Sequence, residues 1–116
     1  MTGCVYKICS RAAWGKADVH GRLAASIDDV RDGYIHLSTD VQIAETLIKH
    51  FEGQPDLVLL TLSAEVLGAA LKWEASRRGE LFPHLYGELT REAVLSVDDL
   101  PLQSNGCHLL PERLRQ

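Results

Sequence analysis

Hydrophobic and polar positions along this chain follow two rhythms that alternate from one end to the other. Residues 4–9 (CVYKIC) and 57–62 (LVLLTL) are short and apolar almost throughout. Runs of that length predict strands, and the second predicts a central strand covered on both faces. Between them a helical period takes over. Ile43, Ala44, Leu47, Ile48 and Phe51 share one face of a helix over residues 40–51, capped by Ser38 or Thr39 and stopped at Gly53. Ser10 reads as the N-cap of an earlier helix through residue 20, ended by Gly21. Residues 28–33 have turn composition, 34–37 a strand, 63–68 a turn, 71–75 a strand, 77–83 a loop, 85–87 an extended segment and 93–98 a last strand. There is no internal repeat, and the pattern fades after Pro101. The expectation is an α+β fold with one domain over residues 1–100 and a mobile tail over 101–116.

Strand parity then turns organisation into candidate chemistry. In residues 34–38 the apolar Ile35 and Leu37 face one way, and Tyr34, His36 and Ser38 face the other. In 71–74, Leu71 and Trp73 share a face while Lys72 and Glu74 take the opposite one, and in 83–86 His84 aligns with Tyr86. Three segments each offer polar side chains suited to catalysis on a single face. If the faces converge, they line a cleft containing two imidazoles, a carboxylate, hydroxyls and an amine. The competing reading is the wet face of an antiparallel sheet, which alternates for no functional reason. For His36 a hydrogen-bonded structural role competes, and for Trp73 and Trp14 core packing is favoured.

Composition narrows the partners. A formal charge of −4 argues against a broad nucleic-acid-binding face. No apolar run approaches the roughly 20 residues that span a bilayer, and the N-terminus has no signal-peptide pattern. The expectation is a cytoplasmic protein with a small-molecule ligand, no membrane association, and an oligomeric state the sequence does not fix. Cys4, Cys9 and Cys107 form no CxxC pair, and Cys4 and Cys9 read as small buried thiols. His36, Glu74 and His84 together have the donor types of a metal triad, but no HxH or HExxH pair supports one, so no metal site is assigned. Walker, GxGxxG and GxSxG motifs are absent, and Arg77-Arg78 beside Gly79 is a weak phosphate signal.

The strings VYKICSRAAW, DGYIHLST, DLVLLTL, LGAALKWE and LFPHLYGEL occur in order at compact spacing over about residues 4–98. Together they closely resemble the family known as domain of unknown function 952. That resemblance implies an ADP-ribosyltransferase-like fold: short, mostly antiparallel strands in two small sheets with two main helices, around a nicotinamide-nucleotide cleft. More distantly, residues 35–68 resemble the catalytic lobe of RNA 2'-phosphotransferases. By that match His36 is the second histidine of the superfamily's His-His-hydrophobic pattern, set near a ribose. The first histidine would fall within residues 6–10, where this chain has Tyr6 and no histidine. The chain also begins directly at this strand, where those enzymes carry an RNA-binding lobe, so RNA 2'-phosphate transfer is not expected. The resulting expectation is an enzyme acting on NAD, ADP-ribose or a related nucleotide. His36, Glu74 and His84 would be catalytic, and Tyr6, Tyr34, Ser38, Lys72 and Tyr86 would contact the ligand. In it Glu74 serves as the acid, the base or the electrostatic stabiliser of a developing oxocarbenium charge. The alternative is a binding module that kept the cleft and lost the chemistry.

Overall fold

The computed structural model describes residues 3–115, the Arg77 side chain excepted. Its centre is strand β4 (Leu57–Ser63), buried from Leu57 to Leu62. β4 pairs antiparallel with β1 (Cys4–Ser10) on one side and with β8 (Val94–Leu100) on the other. Its unbroken apolar run follows from two cores. Val58, Leu60 and Leu62 join Val5 and Cys9 in one, and Leu57 and Leu59 join Tyr6 and Ile8 in the other. Helix α3 (Ile43–Phe51) closes the second core with Ile43 and Leu47. The first core is closed by a second sheet of order β3-β6-β5, formed by β3 (Ile35–His36), β6 (Leu81–Leu85) and β5 (Leu71–Ala75). That sheet contributes Ile35 and Leu85 inward, so its other face carries the histidines.

Helix α1 (Arg11–His20) follows β1 directly. Ser10 Oγ accepts the Ala13 N–H at 3.0 Å, and Gly21 takes the left-handed C-cap conformation with φ 85°. A third, two-stranded sheet pairs β2 (Arg22–Leu23) with β7 (Leu89–Thr90). The mixed α+β class and the antiparallel pairing therefore stand, with a third small sheet beyond the two expected. Two short helices also join the two main ones. Residues 28–33, expected as a turn, lie largely within α2 (Ile27–Asp32), because Ser26 and Asp29 close a capping box. Ser63 likewise caps α4 (Ala64–Leu67), where a plain turn was expected.

Several further expectations need correction. α3 starts at Ile43 rather than after a Ser38 or Thr39 cap. The Thr39 N–H is taken by Gln42 Oε1, and buried Gln42 spends its amide donors on Leu81 O (2.8 Å) and Glu80 Oε2. The 77–83 loop is shorter than expected, since β6 begins at Leu81 and contains Pro83. Pro83 O accepts from Leu37 N. In an antiparallel strand its nitrogen points to that same side, beyond the end of β3, so the ladder to β5 loses no bond. Finally, residues 101–115 do not form a tail apart from the domain. Leu102 bridges to His108, His108 Nε2 bonds Gln54 O at 2.7 Å, and Leu114 is buried in the second core. Of the thiols expected inside, Cys9 is buried and Cys4 is exposed. Trp14 packs against the first core as expected, whereas Trp73, favoured as a core residue, is half exposed. Among the described residues no helix is long and apolar enough to cross a membrane.

Candidate functional site

The site begins with a misfit in β1. Lys7 shares its strand face with Val5 and Cys9, turned toward the first core, and is 7% exposed. A buried ammonium is costly unless paired and hydrogen-bonded. Its partner is Asp29 of α2, 2% exposed, with Nζ 3.1 Å from Oδ2, and Nζ also donates to His36 O at 3.2 Å. Asp29 accepts in addition from Ser26 N (3.0 Å), His36 N (3.0 Å) and His36 Nδ1 (2.7 Å). Burial alone would raise this carboxyl. The His36 hydrogen bond, the Lys7 cation and the two backbone N–H groups outweigh it and hold the carboxyl far below the usual range.

His36 is clamped on both sides. Its Nδ1 meets Asp29 and its Nε2 lies 2.8 Å from Asp32 Oδ2. Ionised carboxylates only accept, so both ring nitrogens donate and the ring is an imidazolium. Its pKa is accordingly raised, first by the Asp29 hydrogen bond and then, against desolvation, by Asp32. Asp32 itself is held down to about 2, mainly by its hydrogen bonds from Arg31, with His36 assisting.

A second histidine faces the first in register. His36 and His84 are paired across β3 and β6, with ring centroids 6.0 Å apart. His84 is 4% exposed, its Nδ1 lies 2.7 Å from Glu74 Oε1, and the Tyr86 hydroxyl donates to that same oxygen at 2.7 Å. Glu74 is thereby held below the usual glutamate range, by Tyr86 first and His84 second, and Tyr86 is pushed up to about 12 by Glu74. Nε2 of His84 has no hydrogen-bond partner among the described residues. Tyr34 packs between these groups. Its ring stacks on His84 at 3.9 Å and 21°, tilts against His36 at 4.7 Å and lies 5.4 Å from Tyr86.

These groups border a cleft of about 440 Å³ at the junction of the two three-stranded sheets. Tyr6 N and O exchange backbone hydrogen bonds with Ser38 there, stitching β1 to the segment after β3. Of the residues singled out from sequence, His36, His84, Tyr6, Tyr34 and Ser38 line the cleft. Glu74, Tyr86 and Lys72 do not. The Glu74 carboxylate is drawn onto His84 and Tyr86 instead of into the cavity, and exposed Lys72 contributes only its charge to Glu74. Among the described residues no group of three His, Cys, Asp or Glu side chains is placed to hold a metal ion.

Sequence reasoning missed Lys7, Asp29, Arg31 and Asp32, all on the cleft wall. Two signals were present. One was a lysine in the middle of an otherwise apolar strand. The other was the Ser26-x-x-Asp29 capping box, hidden in a stretch rich in turn residues.

A family model described as a protein of unknown function (DUF952) matches residues 8–97. The chain belongs to this family. The crystal structure of protein CC0527 from Caulobacter crescentus is 49% identical, with 96% of this chain and 97% of that one covered at a TM-score of 0.90. The solution NMR structure of CC0527 is 50% identical, with 90% of each chain covered and a TM-score of 0.80. No curated protein matches the sequence. For this member of DUF952, then, the comparisons supply the fold, and the chemistry has to be read from the cleft.

Proposed function

We propose that the cleft binds a nucleotide of the NAD or ADP-ribose class and is the active site of a transferase or hydrolase acting on it. The reading takes as its frame the ADP-ribosyltransferase-like arrangement that the sequence strings imply. One observation carries it. Two histidines face each other in register, each with Nδ1 on a carboxylate, yet Nε2 is bonded to Asp32 in His36 and has no partner among the described residues in His84. His36 is ionised between Asp29 and Asp32 and acts as the acid, whereas His84 offers an unpaired Nε2 and acts as the base.

In the step this pair supports, His84 Nε2 takes the proton from an attacking hydroxyl or water as its oxygen bonds to the acetal carbon. The substrate of this step is an O-linked ADP-ribosyl group, since nicotinamide leaves NAD as a neutral base that takes no proton. The bond from that carbon to the leaving oxygen breaks, and that oxygen takes the Nε2 proton of His36. His84 ends as an imidazolium beside Glu74, and His36 as a neutral ring still bonded to Asp29. Glu74 and Asp29 are thus positioning residues, replacing the direct role expected of Glu74. Tyr34, Tyr6 and Ser38 offer ring and hydroxyl contacts to base and ribose.

A non-catalytic binding module is the second reading, favoured by one observation: Asp32 already occupies His36 Nε2, so the resting cleft presents no free acid. Calorimetry with NAD, ADP-ribose and ADP, followed by product analysis, separates the two. An enzyme gives turnover that His36→Gln and His84→Gln abolish while binding persists. A module binds without turnover in every variant. No heat with any nucleotide sinks both readings.

A further inference from the structure

Resting on the reading of this cleft as the ligand site, we infer that Asp32 is a built-in occupant of an oxyanion subsite, formed by Arg31 and His36, that receives a phosphate of the ligand. The Asp32 carboxylate is held as a bound oxyanion would be. Arg31 Nε donates to Oδ1 at 2.9 Å and Nη2 to Oδ2 at 3.2 Å, a two-point fork matched to a carboxylate or phosphate edge. His36 Nε2 adds a third charge-assisted bond to Oδ2 at 2.8 Å. Asp28 takes the opposite nitrogen, Nη1, at 3.1 Å and leaves the forked edge of Arg31 to Asp32.

The donors are fixed and the acceptor is replaceable. Buried Asp29 sets the His36 ring through both its Nδ1 and its backbone N–H, so Nε2 keeps its direction whatever bonds to it. Asp32, by contrast, is about a third exposed at the end of α2, and Arg31 is mostly exposed. Ion pairs in such settings contribute about 1 kcal/mol or less. A phosphate oxygen can therefore displace the carboxylate at little cost, and the side chain swings into water. Displacement transfers the His36 Nε2 hydrogen bond from Asp32 to the ligand. Arg31, Asp32 and His36 all line the cleft, which places the subsite within reach of whatever fills it.

The test uses the intact chain with two probes, inorganic phosphate and ADP-ribose, read by calorimetry and by the imidazole ¹⁵N resonances of His36. Asp32→Asn removes the competing charge and is expected to tighten both probes by about two- to fivefold, the equivalent of ~0.4–1 kcal/mol. Arg31→Gln is expected to weaken both by about tenfold or more. Phosphate should shift the His36 Nε2 resonance in the parent and, at lower concentration, in Asp32→Asn. Adenosine, which has no phosphate, should be indifferent to both substitutions. If phosphate leaves His36 unmoved in the parent and in Asp32→Asn, or if Asp32→Asn leaves affinity unchanged or lower, the subsite is overturned. If ADP-ribose fails to bind while phosphate behaves as expected, the subsite stands and the nucleotide reading falls.

Discussion

Replacing Asp29 by Asn tests the site's foundation with a change of almost no volume. Every acceptor position of this carboxylate faces a donor. Oδ1 meets His36 N and His36 Nδ1, and Oδ2 meets Ser26 N and Lys7 Nζ. An asparagine must turn its NH₂ toward one pair or the other, so either rotamer sets donor against donor. It also strands Lys7, whose side chain is 8% exposed, without a counter-charge. Removing one partner of a buried pair costs about 3–5 kcal/mol. Against a domain stability of roughly 5–15 kcal/mol that is a large share. At roughly 4 °C per kcal/mol for a chain of this size, the melting temperature should fall by about 12–20 °C. The assay is urea and thermal unfolding of parent and variant at neutral pH, with the histidine resonances followed by NMR. His36 should lose its elevated pKa in the variant, since the Asp29 hydrogen bond is the largest cause of that elevation. A variant within about 1 kcal/mol of the parent would show that solvent or a rearranged Lys7 satisfies the cluster, and the reasoning would fail.

Three further outcomes are expected. Leu59→Ala opens a cavity at a fully buried position of the second core and should cost about 2–5 kcal/mol by urea unfolding, with a loss below 1 kcal/mol counting against the central place of β4. Glu74→Gln should bring the Tyr86 titration down from about 12 toward its ordinary 10.0, read by tyrosine ultraviolet absorbance; an unmoved midpoint would refute the Glu74–Tyr86 bond. The pH dependence has two limbs of opposite sign. The raised His36 pKa stabilises the fold fully below its ordinary 6.5 and the gain is lost as pH climbs through the raised value, so the stability gap between parent and His36→Gln should narrow on that climb. The depressed Asp29 pKa contributes fully above its ordinary 3.8 and is lost as pH falls toward the depressed value, so the gap between parent and Asp29→Asn should close in acid.

What could be read from the sequence was whatever one period or one face decides. The 57–62 run declared a strand covered on both sides, and β4 has that place. Parity set His36 with Tyr34 and Ser38 on one face of its strand and His84 with Tyr86 on one face of another, and the register brings the two histidines opposite each other. Parity says which side a side chain leaves by, but not where its end stops. Glu74 leaves from the proper face and is then captured by His84 and Tyr86 short of the cleft. The α2 segment was illegible for a different reason. Its only buried residue is Asp29, while Ile27 and Val30 are exposed, so it carries no apolar stripe to detect. The ribbon of β2 and β7 is two residues long on each side, too short for any alternation to register.

The same lack of an apolar stripe bears on how the site works. α2 is held to the body of the protein chiefly through Asp29 and its bonds to Lys7 and His36, with Asp32 adding a bond to His36 at the helix end. Hydrogen bonds are directional where apolar contact is not, so this attachment fixes the angle of the helix as well as its distance. It also fixes the angle of the His36 ring, because the two share the Asp29 carboxylate. Any ligand group that replaces Asp32 at Nε2 removes one of these attachments while leaving the other. The free energy of binding and the free energy of holding α2 in place are then linked, and linkage is reciprocal. A change that loosens α2, such as replacing Ser26 at the edge of the cleft and so losing its capping bond to Asp29 N, should alter ligand affinity through His36. An unaltered affinity in a Ser26→Ala variant with measurably looser α2 amide protection would mean that His36 is held independently of the helix. The cleft would then be rigid on both walls.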